Sequence, residues 1–395
     1  MSRATQQNPT TPALYVALEL SKDNWKLALT TGRARRPRIR DVPARNQADF
    51  LAEVESAKRH FGLSAGAPVF SCYEAGRDGF WIHRFLAAHG IENIVVDPAS
   101  IEVSRRKRKV KTDRVDAVKL AKLLARHHEG EDVVSVVHVP PLEIEEERLL
   151  PRQLKSLKDQ RTRITNQIRA ELFLHGVELN PREGSFAKRD FLTALEKARQ
   201  WDGTPLPEGV IFMVRLHWEQ YSLIESQIKD LSQRQREALR SAREGSESVT
   251  HAQEVAARLT ELKGVGDVGA YVLSLEFFSW REFKNRKQIG ALAGLTGTPY
   301  QSGAMDKDQG ISKAGNKRVR TLAIELAWLW LRYQPDSELT RWFHSYVGQS
   351  KSRVKRKAIT ALARKLLIAF WHYLEHGVVP QGACLKSWAS PEAAA

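Results

Sequence analysis

The order of short apolar runs in the first third of the chain constrains its fold most tightly. Residues 14–19 (LYVALE) and 25–30 (WKLALT) are brief, apolar and partly β-branched. Ser21-Lys22-Asp23-Asn24 makes a turn between them, so the pair reads as a hairpin. A third strand is expected near Arg38–Val42, reached through a basic stretch that begins at Arg33. Phe50, Leu51, Val54 and Ala57 then recur with helical spacing. After them the pattern alternates: strand 68–73 (PVFSCY), helix 78–89, strand 92–96 (ENIVV), helix 113–127. Three strands in a meander followed by alternating helices and strands predict an α/β domain over residues 1–137.

The Pro140-Pro141 pair punctuates the chain, and the period changes beyond it. Leu150, Leu154, Leu157, Ile164 and Ile168 recur at spacings of three, four and seven. Val214, Trp218, Tyr221, Ile224, Ile228 and Leu231 do the same. Two long amphipathic helices of this kind predict an antiparallel arm over 142–248, or a coiled-coil contact with another subunit. The stretch from Asn180 to Pro207 between them is less regular. Residues 251–348 read as helical with glycine-rich breaks. A last segment, 349–395, holds a helix from Lys351 to His376 with a basic start (KSRVKRK) and an apolar continuation (LLIAFWHYL), then a tail expected to be loose after Pro380. That basic start suits a phosphate contact and a solvated face equally.

Charge speaks to partners. Lys and Arg number 62 against 46 Asp and Glu, a formal excess of +16. A polyanion is the natural complement, because each phosphate neutralised by a cation releases counterions. Cys72 and Cys384 are the two cysteines, without a CxxC spacing, which argues against a disulfide framework and against a zinc site of the usual kind. His127-His128 lack a partner pattern such as HExxH and read as helix-surface residues. The start of the chain has no apolar signal core, and no run approaches a membrane span. A soluble protein of the bacterial cytoplasm is the expectation.

Four carboxylates fall where this layout gathers strand ends and a helix start. Glu19 ends the first strand, Glu74 follows PVFSCY, and Asp113 and Asp116 stand three apart at the opening of a helix, on one face. Hard oxygen donors in such a group suit Mg²⁺, and phosphoryl transfer needs metals that stabilise the attacking and leaving oxygens. The plainer account is that Asp113 and Asp116 serve a helix N-terminus and its dipole, with Glu19 solvated at a strand end. The run Arg105, Arg106, Lys107, Arg108, Lys109, Val110, Lys111 immediately before Asp113 exceeds what a structural helix start requires.

Two glycine-rich segments follow. Gly264-Val265-Gly266-Asp267-Val268-Gly269 is a literal GxGxxG, but AQEVAARLTEL before it is helical, whereas a dinucleotide motif must follow a strand. Helix, GVG turn and helix instead resemble a helix-hairpin-helix whose Gly264 and Gly266 offer backbone N–H groups to a DNA phosphate. A tight helix corner without a ligand is the alternative. Further on, YQSG (Tyr300–Gly303) precedes GISKAGN and KRVR. Ser302 by itself reads as a turn residue. Lys307, Lys313, Lys317, Arg318 and Arg320 nevertheless supply the cations that a serine attacking a phosphodiester would need, and Ser312 in the same loop is its nearest competitor.

In order and spacing, VALELSK, SCYEAGRDGFW, VDPASI and KVKTDRVDAVKLAKLL resemble the N-terminal half of the DEDD transposases of the IS-one-ten and IS-eleven-eleven insertion sequences. YQSG, GISKAGN and KRVR resemble the C-terminal domain of the same family over roughly 255–345. The resemblance implies a RuvC-like, RNase H-type fold over about 14–130 and gives the four acidic roles to Glu19, Glu74, Asp113 and Asp116. It makes Ser302 the nucleophile of a covalent phosphoserine intermediate. It also implies a site shared between the two domains, contributed by different subunits of a dimer or tetramer, and a structured, element-encoded RNA that chooses the DNA. Glu19 departs from the usual Asp, keeping the charge but reaching one methylene further.

Two other functions remain open at this point. A RuvC-like nuclease or junction resolvase would cut with metal-activated water and ignore Ser302. An inactivated, nucleic-acid-binding relative would bind DNA without needing Glu74 or Asp113.

Overall fold

A computed structural model describes residues 12–101, 112–181, 190–302, 305–349 and 352–387, with the side chains of 190, 300–302 and 305–308 outside the description. The chain divides into two compact units, Met1–Val139 and Pro140–Ala395.

The first unit is built on a five-stranded sheet of order β3-β2-β1-β4-β5. β1 (Leu14–Leu20), β2 (Asn24–Thr30) and β3 (Arg38–Pro43) form the antiparallel meander, and β4 (Val69–Glu74) and β5 (Glu92–Val96) add in parallel to β1. β1 and β4 are nearly continuous apolar runs because both faces of the sheet are covered. Side chains alternate between those faces. Leu14, Val16 and Leu18 pack with α1 (Gln47–His60) and α2 (Trp81–Ala88) through Phe50, Val54, Ile82 and Phe85. Tyr15, Ala17, Phe70 and Cys72 face α3 (Asp113–His128) through Ala117, Leu120, Ala121 and Leu124. Asn46 and Thr112 cap α1 and α3, each accepting from a backbone N–H three residues on. α2 starts later than the predicted residue 78, because Gly79 ahead of it turns with φ +68°.

The second unit is mostly helical. α4 (Leu142–Glu147) leads into α5 (Leu149–Phe173), which packs antiparallel on α7 (Glu208–Arg243), as the ion pairs Arg161–Glu225 and Glu171–His217 fix. The apolar residues with helical spacing are the interface: Leu154, Leu157, Ile164 and Ile168 meet Val214, Trp218, Tyr221, Ile224 and Ile228. α6 (Asp190–Lys197) closes one end, its Phe191 stacked on Trp218 with ring centroids 4.4 Å apart. The remaining core gathers α8 (His251–Glu261), α9 (Asp267–Leu273), a π-helical turn at Ser274–Phe278, α10 (Arg286–Leu292), α11 (Lys317–Tyr333), α12 (Glu338–Val347) and α13 (Ser352–His376) around Trp330, Phe370 and Leu366.

Two expectations are corrected here. Residues 251–348 are not wholly helical: β6 (Gly297–Ser302) and β7 (Met305–Ile311) form an antiparallel ribbon with an irregularity between Gly297 and Pro299. The short, polar, glycine-broken segments carry no period of two that would reveal it. The tail after Pro380 is not loose through residue 387. Leu385 bridges Leu262, the Lys386 N–H donates to the Glu261 carbonyl at 2.8 Å, and the Gln334 amide clasps Cys384 from both sides. Backbone pairing holds that tail where side-chain periodicity predicts nothing.

Candidate active site

The sheet brings the four acidic positions to one end of one face. Leu18 pairs with Tyr73 across the parallel β1–β4 ladder, so Glu19 and Glu74 are the next rungs. Alternation puts Glu19 in line with Tyr15 and Ala17, and Glu74 with Phe70 and Cys72, all on the α3 side. α3 runs opposite to β1 and β4. Its C-terminal His128 lies on Phe70, with ring centroids 3.8 Å apart, whereas Leu120 contacts Cys72 further along the strand. The helix start therefore reaches the C-terminal edge of the strands. From Leu120 back to Asp116 is about 6 Å of helix, and from Cys72 on to Glu74 is about 7 Å of strand, so the two acids stand at similar height.

Glu74 and Asp113 are exposed and Glu19 and Asp116 partly so. Glu74 is the last residue of β4, not the residue after it, and Leu20 rather than Glu19 ends β1. Four carboxylates are the right donors for a hard divalent cation. Among the described residues, however, no three His, Cys, Asp or Glu side chains stand close enough together to hold a metal ion. The fold aligns the positions without closing the side chains on one point. The basic run Arg105–Lys111 lies outside the described residues.

In the second unit, Ser302 is the last described residue of β6 and pairs with Met305 across the ribbon, so it sits at the hairpin turn. The chain after β7 is zipped to the end of α10. Ser312 N–H donates to Thr296 O at 2.8 Å, Lys313 N–H to Gly294 O at 3.2 Å, and Asn316 N–H to Leu292 O at 2.8 Å. Glycine is required twice in this seam. A Cβ on Gly294 (φ +67°) would lie 2.1 Å from the Ala314 carbonyl oxygen, and one on Gly315 (φ +98°) 2.3 Å from that of Leu292.

Asn316 caps α11, accepting from Arg318 and Val319 N–H at 2.9 and 3.3 Å. Lys313, Lys317 and Arg318 are exposed, with Lys317 and Arg318 in the first helical turn, where the helix dipole disfavours cations and favours an anion. Arg320 is differently employed: its guanidinium donates to the Ala293 carbonyl at 3.2 Å and stiffens the seam.

Sequence reasoning missed Glu276. It lies in the π-helical turn, with its side chain 4% exposed. Arg152 binds its carboxylate at 2.8 and 3.1 Å, Arg148 approaches to 3.9 Å, and Arg318 to 4.0 Å. Burial pushes the carboxyl upward, but the Arg152 hydrogen bonds and charge, aided by Arg148 and Asn316, outweigh it and hold it below its ordinary value. Burial likewise lowers the Arg148 guanidinium to about 10, against the pull of Glu276. The FF pair and Trp280 around this acid read in sequence as plain core. A lone Glu among them was the available signal.

At the glycine corner 262–269, Gly264 is set by packing, whereas a Cβ on Gly266 would meet nothing within 4 Å. A Cβ on Gly264 (φ +95°) would meet the Tyr333 Cβ at 3.2 Å, so α11 packs directly on the turn. Lys386 Nζ donates to the Val265 carbonyl at 3.0 Å, and Arg243 pairs with Asp267 at 2.5 Å. Gly266 precedes α9 as its N-cap.

Comparison with known proteins agrees with both halves. Residues 21–175 match a family model of DEDD transposases, described as Transposase, and residues 256–341 match the Transposase IS116/IS110/IS902 family. Glu74, Asp113, Asp116 and Ser302 fall within those spans, and Glu19 just before the first. A chain assigned by name as a transposase, y4rJ of Sinorhizobium fredii (strain NBRC 101917 / NGR234), is 42% identical over 382 residues, 95% of each chain. The transposase for insertion sequence element IS1328 of Yersinia enterocolitica is 27% identical over 58% of this chain and 63% of its own. The class is thus a transposase of insertion sequences, for which DNA is the partner. Within that class, the chain belongs to the IS110 family of DEDD transposases. No helix among the described residues is long and apolar enough to cross a membrane.

Proposed function

We propose that this transposase cuts and rejoins DNA through a covalent phosphoserine on Ser302, assisted by Mg²⁺ held by Glu19, Glu74, Asp113 and Asp116 on a RuvC-like first unit. The observation that carries the reading is the seating of Ser302. It ends a strand of a two-stranded ribbon whose exit loop is sewn to α10 and delivers Lys313, Lys317 and Arg318 at the opening of α11.

The step conserves bonds. The Ser302 hydroxyl loses its proton, and its oxygen bonds to the phosphorus of a DNA phosphodiester. The bond from that phosphorus to one deoxyribose oxygen breaks, and the departing oxygen takes up a proton. Attack by a deoxyribose hydroxyl of a second strand reverses the step, so joining needs no further energy source. Cations at the α11 start neutralise charge that grows on the phosphoryl oxygens. A bound Mg²⁺ would supply Lewis-acid polarisation of a phosphate oxygen.

The basic composition without an evident base-reading helix is compatible with guidance by a structured RNA, since base pairing then reads the sequence. The paired α5 and α7 are suited to act as a coiled-coil arm joining subunits of a dimer or tetramer. An adduct assay tests the core of this reading. Protein, Mg²⁺, element-end DNA and co-purified RNA are run on a denaturing gel beside Ser302→Ala and Asp113→Ala. A protein–DNA band lost in both variants supports it. Cleavage that leaves no band and survives Ser302→Ala shows instead a nuclease using metal-activated water.

A further inference from the structure

A groove of about 420 Å³ lies on the first unit between α3 and the edge of the sheet, lined by Arg33, Arg35, Arg36, Ile39, Arg114 and Lys122 among others. Its position follows from the strand order. β3 is the edge strand, and Ile39 faces α3 across from Ala28. Arg114, Val118 and Lys122 stand at i, i+4 and i+8, one stripe down α3, spanning about 12 Å. Asp113 and Asp116 fall on the other flank of the buried Ala117–Leu120–Ala121–Leu124 stripe. The helix thus presents acids toward β4 and cations toward β3.

The loop that supplies the other cations is held in place. Thr30 is fully buried and its hydroxyl donates to the Gly32 carbonyl at 2.8 Å. Gly32 in turn accepts from Arg35 N–H at 3.3 Å. Arg33 is committed to Glu129 and Glu131 at 3.4 and 2.8 Å. No ion pair among the described residues involves Arg35, Arg36, Arg114 or Lys122, and all four are exposed. On the opposite face, by contrast, Arg38 and Arg40 share Glu53 at 2.7 and 3.4 Å. The four cations left over around a concave surface repel one another until an anion arrives.

We infer that this groove grips the phosphate backbone of duplex DNA running from the acid-bearing end of α3. Its apolar lining is aliphatic, through Pro37, Ile39 and Val118, and among the described residues no aromatic ring lines it. Readers of single strands and RNA loops stack bases on such rings. The unpaired cations of the loop and the Arg114–Lys122 pair along α3 suit backbone phosphates instead, and the distance of about 12 Å between Arg114 and Lys122 matches three to four 3.4 Å steps of one strand.

The inference deepens the proposed function by saying where the DNA beside the acidic edge is held. Binding is measured in EDTA, so its outcome is separate from that of the adduct assay. A labelled 30-base-pair duplex is titrated with full-length protein across a salt series, beside the triple variant Arg35→Gln, Arg36→Gln, Lys122→Gln. The expected result is affinity weakened about thirty- to hundredfold at 0.1 M salt, and a salt slope smaller by about 2–3, near 0.9 per lost contact. Arg36→Gln alone, in an exposed loop, should lose about 0.9 of slope and serves if the triple variant melts early. Unchanged affinity and slope in these variants would overturn the inference. So would a loss confined to a double-stranded RNA probe with DNA binding intact, which would assign the groove to RNA.

Discussion

Asn316 is shared between two jobs: its side-chain oxygen caps α11 and its amide donates to the Glu276 carboxylate at 3.3 Å. A buried acid thus stands directly behind the junction between the loop of Lys313 and the α11 start of Lys317. Glu276→Gln leaves Arg148 and Arg152 facing a neutral group in the core. Because the Arg152 side chain is 40% exposed, the expected loss is about 2–3 kcal/mol, below that of a fully buried pair. Thermal denaturation should register it as a fall of about 5–10 °C.

The same acid gives acid sensitivity a sign. Its folded pKa lies below the ordinary value of 4.5, so its stabilising share is present above that value. It fades as pH drops through the lowered one. The melting temperature of the parent should therefore fall faster than that of Glu276→Gln as pH is taken from 6 toward 3. Parallel curves would mean that the carboxylate is not the group responsible.

Gly315→Ala drives a Cβ to 2.3 Å from the Leu292 carbonyl, whereas Gly310→Ala, at φ +88°, meets nothing within 4 Å. The first should cost more than about 3 kcal/mol and the second about 1 kcal/mol, the backbone penalty alone. Urea denaturation of the two variants checks this, and equal losses would deny the tight seam between α10 and α11.

Gln334 is 1% exposed and bonds the Lys263 and Cys384 carbonyls at 2.7 and 2.8 Å. Gln334→Ala removes these part-buried hydrogen bonds, leaving the Cys384 carbonyl only the Lys263 N–H at 3.2 Å, at an expected cost of about 1–3 kcal/mol. Removing residues 381–395 should expose the same seam, and limited proteolysis near Lys263 should accelerate in both.

Glu19→Gln removes one proposed metal donor, and cleavage should then require at least tenfold more Mg²⁺. Glu19→Asp, which shortens the reach while keeping the charge, should fall between that and the parent. A Mg²⁺ titration of DNA cleavage checks both, and identical midpoints for all three proteins would remove Glu19 from the site.

Much of the architecture was legible before any coordinates. LYVALE and WKLALT form their hairpin, and the leucine and isoleucine spacings of 150–168 and 214–231 become the α5–α7 interface, because burial of an apolar stripe decides both. The β6–β7 ribbon escaped, since Tyr300–Ser302 and Met305–Ile311 alternate no apolar face. The clasped tail escaped as well, since Gln334 holds it by backbone atoms that any residue would offer. On the site, the placement of the acids at strand ends and a helix start could be read, but Glu276 could not. Its meaning comes from Arg148 and Arg152, more than a hundred residues away, and such long-range pairing leaves no periodicity.

Because acids and cations flank the same stripe of α3, the proposed chemistry and the proposed grip depend on a single rotation. Each residue turns an α-helix by about 100°. Inserting one residue between Asp116 and Ala117 would therefore swing Asp113 and Asp116 away from Glu19 and Glu74, and would carry Arg114 out of line with Val118 and Lys122, which Leu120 and Leu124 keep docked. α3 behaves as a camshaft: its two lobes are cut on one shaft, and neither can be retimed without the other losing its stroke.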